Sequence, residues 1–369
     1  MVAGASELVI LVALFLVGVA TVIYSVEVFI EAVAQSAISL GVSGFFLAVI
    51  LAGVDLENGI LGVTAAFVDL PALALGTVFG EALFVLAVAV GIAGLLVPFR
   101  MNVPVVYLAL LVLVPLPAFA MSASGTIDWR GGALLTALFV PLLGGIYWRE
   151  SRSETRYLLA EEVGEAIELE GTGMVERSSV EGSTNGGRIG GSADSTTDQW
   201  DLDLDLDLDL DEFVPALAHR SGPFNLGVAM LAVGGLTAGS LLTVFSAEGI
   251  FVAFGISELA FGATVLSFIA SIEELALTVE PVRRNRPELA VGNVVGSTVF
   301  YVTANVGLIA MLRPVHTTGA VMTVHWPMFA ACLFVVVIML ARGRVTRSGG
   351  ATLLVLYIAY WIANYAEPL

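Results

Sequence analysis

The chain has 369 residues, 58% hydrophobic and only 13% charged, with a mean hydropathy of +0.94. Soluble domains are close to a quarter charged, so this composition excludes a water-soluble globular protein and predicts a polytopic membrane protein in contact with lipid. The formal net charge of −18 is unevenly spread: 18 of the 33 acidic residues lie in Glu150–Glu212, and every one of the 15 basic residues is arginine. An acidic, lysine-free chain points to a halophile, and no nucleic-acid partner is expected. The single cysteine, Cys332, excludes an internal disulfide, and His219, His316 and His325 have no metal-ligand spacing.

In chain order, residues 8–25 form an apolar run of spanning length with no basic residue before it, which reads as a first transmembrane helix rather than a signal peptide. Glu27 and Glu31 mark a turn into a second run, from about Ala32 to Phe67. That run is too long for one simple span and is interrupted at Gly53-Val54-Asp55-Leu56-Glu57-Asn58-Gly59, so a helix broken at its polar middle is expected. Asp69 and Pro71 start the third run, to about Pro98; Val103–Met121 and Gly131–Trp148 give spans four and five. Residues 149–222 are a different material. Gly171 to Trp200 has the composition of a disordered linker, and Asp201–Glu212 (DLDLDLDLDLDE) is a solvated acidic tract, since adjacent carboxylates repel and Asp is depleted in strands.

The second half repeats the first. Asn225–Phe245 is span six, and Ile250 to about Val282 is again over-long and broken, at Ala270-Ser271-Ile272-Glu273-Glu274. Pro287–Leu312, Met322–Leu340 and Ala351–Ala363 supply spans eight to ten. The relation is explicit in Pro287–Phe300, PELAVGNVVGSTVF, which shifted back by 216 positions meets Pro71–Phe84, PALALGTVFGEALF, with seven of fourteen positions identical. The same offset carries Gly91 onto Gly307 and Leu56-Glu57 onto Ile272-Glu273. The reading is therefore an all-α integral membrane protein of ten transmembrane helices in two five-helix repeats, 1–148 and 223–369, joined by the acidic linker 149–222.

Five spans per repeat is an odd number, so the second repeat enters the membrane inverted, the plan of secondary transporters whose site lies at the midplane between discontinuous helices. The arginines agree. With the linker cytoplasmic, the short inner loops carry Arg100, Arg283, Arg284, Arg286, Arg342, Arg344 and Arg347, against Arg130 and Arg313 outside. Both termini are then extracellular.

Ionisable groups inside spans are costly and are functional candidates by default. Here they concentrate at four places related by the repeat. Asp55 and Asn58 share a helix face, as do their mates Ser271 and Glu274; Thr77 and Glu81 share another, as do Asn293 and Ser297. Gly76, Gly80, Gly292 and Gly296 form small-residue ridges that admit a close backbone. Glu57 and Glu273 lie about 100° round the helix, as secondary or proton-carrying groups. Buried carboxylates without a basic partner either neutralise or hold cations, and carboxylate, amide and hydroxyl oxygens without imidazole or thiolate suit a hard cation such as calcium. No Ser/His, Asp-pair or HExxH arrangement suggests an enzyme, and no bound cofactor is expected.

These residues carry a family likeness. Gly255-Ile256-Ser257-Glu258-Leu259, Glu274-Leu275 and Ala290-Val291-Gly292-Asn293-Val294-Val295-Gly296-Ser297 resemble an α-repeat of the cation/calcium exchanger superfamily, GxSELxxGxTxxAxGTSxPE followed by GNxxGSN, with Glu274 and Gly292 eighteen residues apart as the pattern requires. The resemblance implies ten helices of the sodium/calcium exchanger type, a midplane site, exchange of calcium for sodium or protons by alternating access, and gating by helices one and six. It makes Glu274 the calcium-binding glutamate, Asn293 its amide ligand and Ser297 the following hydroxyl. In the first repeat Asn58 takes the glutamate position, Asp55 the serine, Thr77 the asparagine and Glu81 the serine. Val54 and Ala270 replace the threonines of the usual sodium sites, which favours protons as coupling ion. A monovalent antiporter of the same fold, or an ion sensor acting through the acidic linker, are the alternative readings.

Overall fold

The computed structural model describes residues 5–39, 55–150 and 222–366. The acidic linker with its Asp201–Glu212 tract, and the first arm of the expected broken helix up to Val54, lie outside the described residues.

Two helices, α1 (Ala5–Ser39, 35 residues) and α6 (Gly222–Phe254, 33 residues), are longer than a span requires. At 1.5 Å per residue they reach about 50 Å, against a hydrocarbon core of about 30 Å. They pack on each other through small residues: Gly18 backs onto Gly239 and Thr243, and Gly235 onto Ser25. The expected turn at Glu27 and Glu31 is absent, because α1 runs straight through both. The two acids are four apart and half-buried on one face while Val26 and Ala32 are buried on another, so the helix continues without placing a charge in its packed side. The boundary expected near residue 246 also moves. The chain leaves α6 at Gly255, at φ +64°, with Ile256 N–H donating to Phe251 O at 2.9 Å and Gly255 N–H to Val252 O at 3.3 Å, a glycine C-terminal stop. Ser257 then caps the next helix by accepting from Ala260 N at 3.2 Å.

That helix, α7 (Glu258–Ala270), meets α8 (Ile272–Arg283) at a 48° bend on Ser271, within the expected break. In the first half the equivalent inner arm is α2 (Leu56–Phe67), N-capped by Asp55. Next come α3 (Pro71–Leu96), α4 (Val105–Ser122) and α5 (Trp129–Glu150); after α8 follow α9 (Pro287–Leu312), α10 (Val321–Ala341) and α11 (Arg347–Ala366). Among the described residues eight helices are long and apolar enough to cross a membrane, nine if the bent α7–α8 pair is one span. The protein is a multi-pass membrane protein. Helices α3 and α9, which carry the repeated stretch, are 89% buried, against 22–44% for the other spans; they are the centre around which the rest is laid.

Equivalent features recur in the two halves. Asp69 and Asn285, 216 positions apart, are the non-glycine residues at positive φ (70° and 59°) among those described, each turning an inner arm into a central helix that opens on proline. Each central helix loosens into a π-helical stretch at the same place, Phe84–Ala89 in α3 and Tyr301–Asn305 in α9. Four two-residue strands cross between halves: β1 (Phe99–Arg100) pairs antiparallel with β4 (Arg344–Val345), and β2 (Thr126–Ile127) with β3 (Val315–His316). One feature is not shared. Arg313, just past α9, donates Nε to Asp69 Oδ1 at 2.8 Å and a terminal nitrogen to Oδ2 at 3.2 Å, whereas the equivalent positions hold Val97 and Asn285. The pair is exposed, so Arg313→Ala should cost no more than about 1 kcal/mol, read as a small shift of the unfolding midpoint in detergent.

Glycine sets how closely the core helices approach. An added Cβ on Gly76 would run into Leu259 O of α7, and one on Gly262 of α7 into Leu73 O of α3, a reciprocal backbone contact. Gly80 lies equally close to Ser267 of α7. Because the opposing atom is backbone, Gly76→Val has no side chain to displace. It should destabilise by about 3 kcal/mol, the upper range for an overpacked core; an unchanged midpoint would refute this packing.

Candidate cation site

Glu274 sits in the first turn of α8, and the facing ridge of α9 supplies its partners. Asn293 Nδ2 donates to Glu274 Oε2 at 2.6 Å, and Ser297 Oγ donates to Oε1 at 3.1 Å. The ridge continues past the residues expected from sequence. Asn293, Ser297, Tyr301 and Asn305 recur every four positions. In a regular helix such a series drifts about 40° per step. The wider turns of the π stretch Tyr301–Asn305 reduce that drift, which keeps the lower two on the side of the upper two.

From the first half, Asp55 does two jobs. As N-cap of α2 it accepts from Asn58 N–H at 3.0 Å, and its Oδ2 accepts from Asn58 Nδ2 at 2.7 Å. The same Oδ2 accepts from the hydroxyl of Tyr301. That hydroxyl also lies 3.3 Å from Glu274 Oε1 and accepts from Asn58 Nδ2 at 3.4 Å. A phenol has one hydrogen. It cannot serve Asp55 and Glu274 together, so carboxylates from both halves converge on a point with one proton too few.

The remaining candidates are placed as follows. Glu81, fully buried on α3, accepts from Asn305 Nδ2 at 3.5 Å and has no partner for Oε1 among the described residues. Thr77 is buried and its hydroxyl donates to Ala74 O of its own helix, at 2.8 Å. Ser271 is buried at the α7–α8 bend with Oγ lacking a partner among the described residues, as do Asn58 Oδ1 and Glu57 Oε1. Glu57 is buried and Glu273 half-buried, and Glu57 lies within electrostatic range of Glu273, Asp55, Glu81 and Glu274. Thus Glu274, Asn293, Ser297, Asp55 and Asn58 form one hydrogen-bonded network through Tyr301. Glu81 pairs elsewhere, and among the described residues no hydrogen bond joins Thr77 or Ser271 to the network.

Among the described residues no basic group neutralises this cluster: every described arginine is exposed, and the chain has no lysine. Among the described residues no three carboxylate, imidazole or thiolate groups stand close enough to hold a metal by themselves. A cation here would therefore need the amide and hydroxyl oxygens too, a mixed donor set suited to hard ions. Tyr301 and Asn305 escaped the sequence reading because their repeat mates are Val85 and Ala89; the four-residue polar spacing along α9 was the signal that could have found them.

The sodium/calcium exchanger protein family model matches residues 10–148 and 224–366, more than half of the chain. The chain belongs to this family. The resemblance carried by the sequence motifs is borne out. Among curated relatives, CaxA of Alkalimonas amylolytica is 32% identical over 139 residues, 37% of this chain; the match spans 42% of CaxA, less than half its length. The inner membrane protein YrbG of Escherichia coli (strain K12) is 24% identical over 306 residues, covering 82% of this chain and 80% of YrbG. The crystal structure of the H+/Ca2+ exchanger CAX superposes with a TM-score of 0.62 at 14% identity, over 96% of this chain and 84% of CAX, a likeness of fold.

Proposed function

We propose that this exchanger-family protein is an antiporter that carries calcium across the membrane against a monovalent cation. The observation that carries the reading is the convergence of Glu274 and Asp55, one from each half, on the single hydroxyl of Tyr301, with Asn293 and Ser297 holding the Glu274 carboxylate. Buried Glu274 and half-buried Asp55, with no arginine or lysine beside them among the described residues, match the charge of a divalent cation, and amide and hydroxyl oxygens complete a hard-ion shell. The calcium named for CAX and for the family supports the same cargo.

In this reading the chain has ten spans in two inverted five-helix repeats. The linker faces the cytoplasm and both termini the outside, as the arginine bias of the short loops supports. Access alternates when α1 and α6, packed on each other through glycine, shift against the central helices α3 and α9. The test is calcium flux in proteoliposomes, with sodium, potassium and proton gradients imposed one at a time. Calcium uptake driven by an opposing monovalent gradient is expected. Calcium that moves under none of them refutes the reading.

A further inference from the structure

The face of the molecule that carries β1 and β4 is rich in arginine, and four of those arginines lack a counter-ion among the described residues. Arg313 at the end of α9 is paired with Asp69 at the start of α3, so the other ends of these two helices lie at the opposite face. That face receives Arg100 after α3, Arg283, Arg284 and Arg286 before α9, and Arg342, Arg344 and Arg347 around the turn from α10 to α11. Arg283 and Arg284 are tied to Glu280. Arg100, Arg342, Arg344 and Arg347 are exposed and make no ion pair among the described residues. Two of them are set against each other: in the antiparallel β1–β4 register, Arg100 is the partner of Arg344. Like charges directly opposite destabilise a strand pair, so this register calls for an anion.

The same chain carries one. α5 starts beside β2, whose partner β3 follows Arg313, so α5 ends at the arginine face with Glu150. α6 starts there too, since it runs out to Gly255 and the α7–α8 pair returns to Arg283. Both attachments of the linker are thus at the arginine face. Within the linker, Asp201–Glu212 (DLDLDLDLDLDE) has seven carboxylates and no basic residue. In an extended chain alternate residues share one side, which sets six aspartates in a row, about 6.6 Å apart, and five leucines on the other side. A tract needed only for solubility has no use for the leucines. Glu212 is ten residues from Gly222, at most about 35 Å of chain, so the tract cannot leave this face. Its local concentration there is on the order of millimolar.

We infer that Asp201–Glu212 docks on the patch formed by Arg100, Arg342, Arg344 and Arg347, and that these carboxylates are the counter-ions of the β1–β4 pair. One exposed ion pair holds little, but several on a tethered partner act together. Docking relieves repulsion on both sides, between Arg100 and Arg344 and among the aspartates. Lipid phosphates are the competing anions; the tract is favoured by its tether and by presenting six carboxylates in one row.

The absence of lysine makes the test direct. Arg344→Lys keeps the charge and gives the chain its one side-chain amine, which a carbodiimide joins only to a carboxylate in contact with it. The full-length protein is crosslinked in vesicles of phosphatidylcholine and, separately, of phosphatidylglycerol, then digested and read by mass spectrometry. Arg344→Lys should join a carboxylate of Asp201–Glu212 in both vesicles, at least about tenfold more than Arg130→Lys on the other face. Sodium chloride at about 1 M should reduce that product several-fold. Arg313→Lys, joined to Asp69, is the positive control, and Arg100→Lys serves if Arg344→Lys does not fold. No tract product while the Asp69 product forms, or equal tract product from Arg130→Lys, overturns the docking. Loss of the product in phosphatidylglycerol alone assigns the patch to lipid headgroups, and a product joining isotopically distinct chains assigns it to a second copy; either result also overturns it.

Discussion

Glu274→Gln should abolish cation-driven transport in proteoliposomes while leaving a folded protein. The substitution is nearly isosteric, and its hydrogen bonds can be kept. Glutamine offers one acceptor oxygen, which can face Asn293 Nδ2, and its amide nitrogen then faces Ser297, whose hydroxyl can turn from donor to acceptor. What is lost is the charge. Removing one charged partner from a buried ion contact costs about 3–5 kcal/mol, and tenfold in affinity is about 1.4 kcal/mol, so calcium binding should weaken at least a hundredfold. The control lies on the same helix. Glu280 pairs on the surface with Arg283 at 3.7 Å and Arg284 at 2.8 Å, and Glu280→Gln should change stability by less than about 1 kcal/mol with transport intact. Flux at the wild-type rate in Glu274→Gln would remove Glu274 from the site.

Tyr301→Phe tests what occupies the centre of the network without a cation. The hydroxyl is the link between carboxylates of opposite halves, and hydrogen bonds to charged groups contribute about 1.5–3 kcal/mol. Without it Asp55 keeps Asn58, and Glu274 keeps Asn293 and Ser297, but the two carboxylates face each other across an empty gap. The variant should therefore unfold earlier in chelator, by about 2 kcal/mol, and the deficit should shrink in saturating calcium, because the cation then supplies the missing positive charge. A deficit that grows in calcium would make the hydroxyl a ligand of the ion and overturn its role as placeholder.

Much of the site was legible because the repeat marks it twice. Glu274, Asn293 and Ser297 stand at motif spacing in the better-preserved half, and one face-sharing rule brought them together. Asp55 and Asn58 were found as the polar break in an over-long apolar run and tied to Ser271 and Glu274 by the offset, and Asp55 also caps α2, a duty its i, i+3 relation to Asn58 already suited. The failures have physical causes. Tyr301 and Asn305 have apolar mates, so a symmetry argument passes over them. Thr77 was read as a ligand from its face; its hydroxyl donates to its own backbone at Ala74 O, a bond that leaves the oxygen lone pairs unused. Glu27 and Glu31 looked like a turn because charges interrupt a hydropathy run; a helix carries them when they fall on a half-buried stripe. The end of α6 was misplaced although Gly255-Ile256-Ser257 spells a stop followed by a cap, a local signal outweighed by the search for a break in the apolar pattern.

The crossed strand pairs bear on biosynthesis. Phe99–Arg100 and Thr126–Ile127 are made early, yet their partners Arg344–Val345 and Val315–His316 emerge some two hundred residues later. A ribosome that has finished the first half has inserted helices whose connecting loops still offer unpaired backbone at both membrane faces, a state prone to wrong pairing. Only when the segments before and after α10 follow are both faces stitched. The pairing is thus completed only by Arg344–Val345, and a chain stopped after α9 would leave both β1 and β2 without their partner strands.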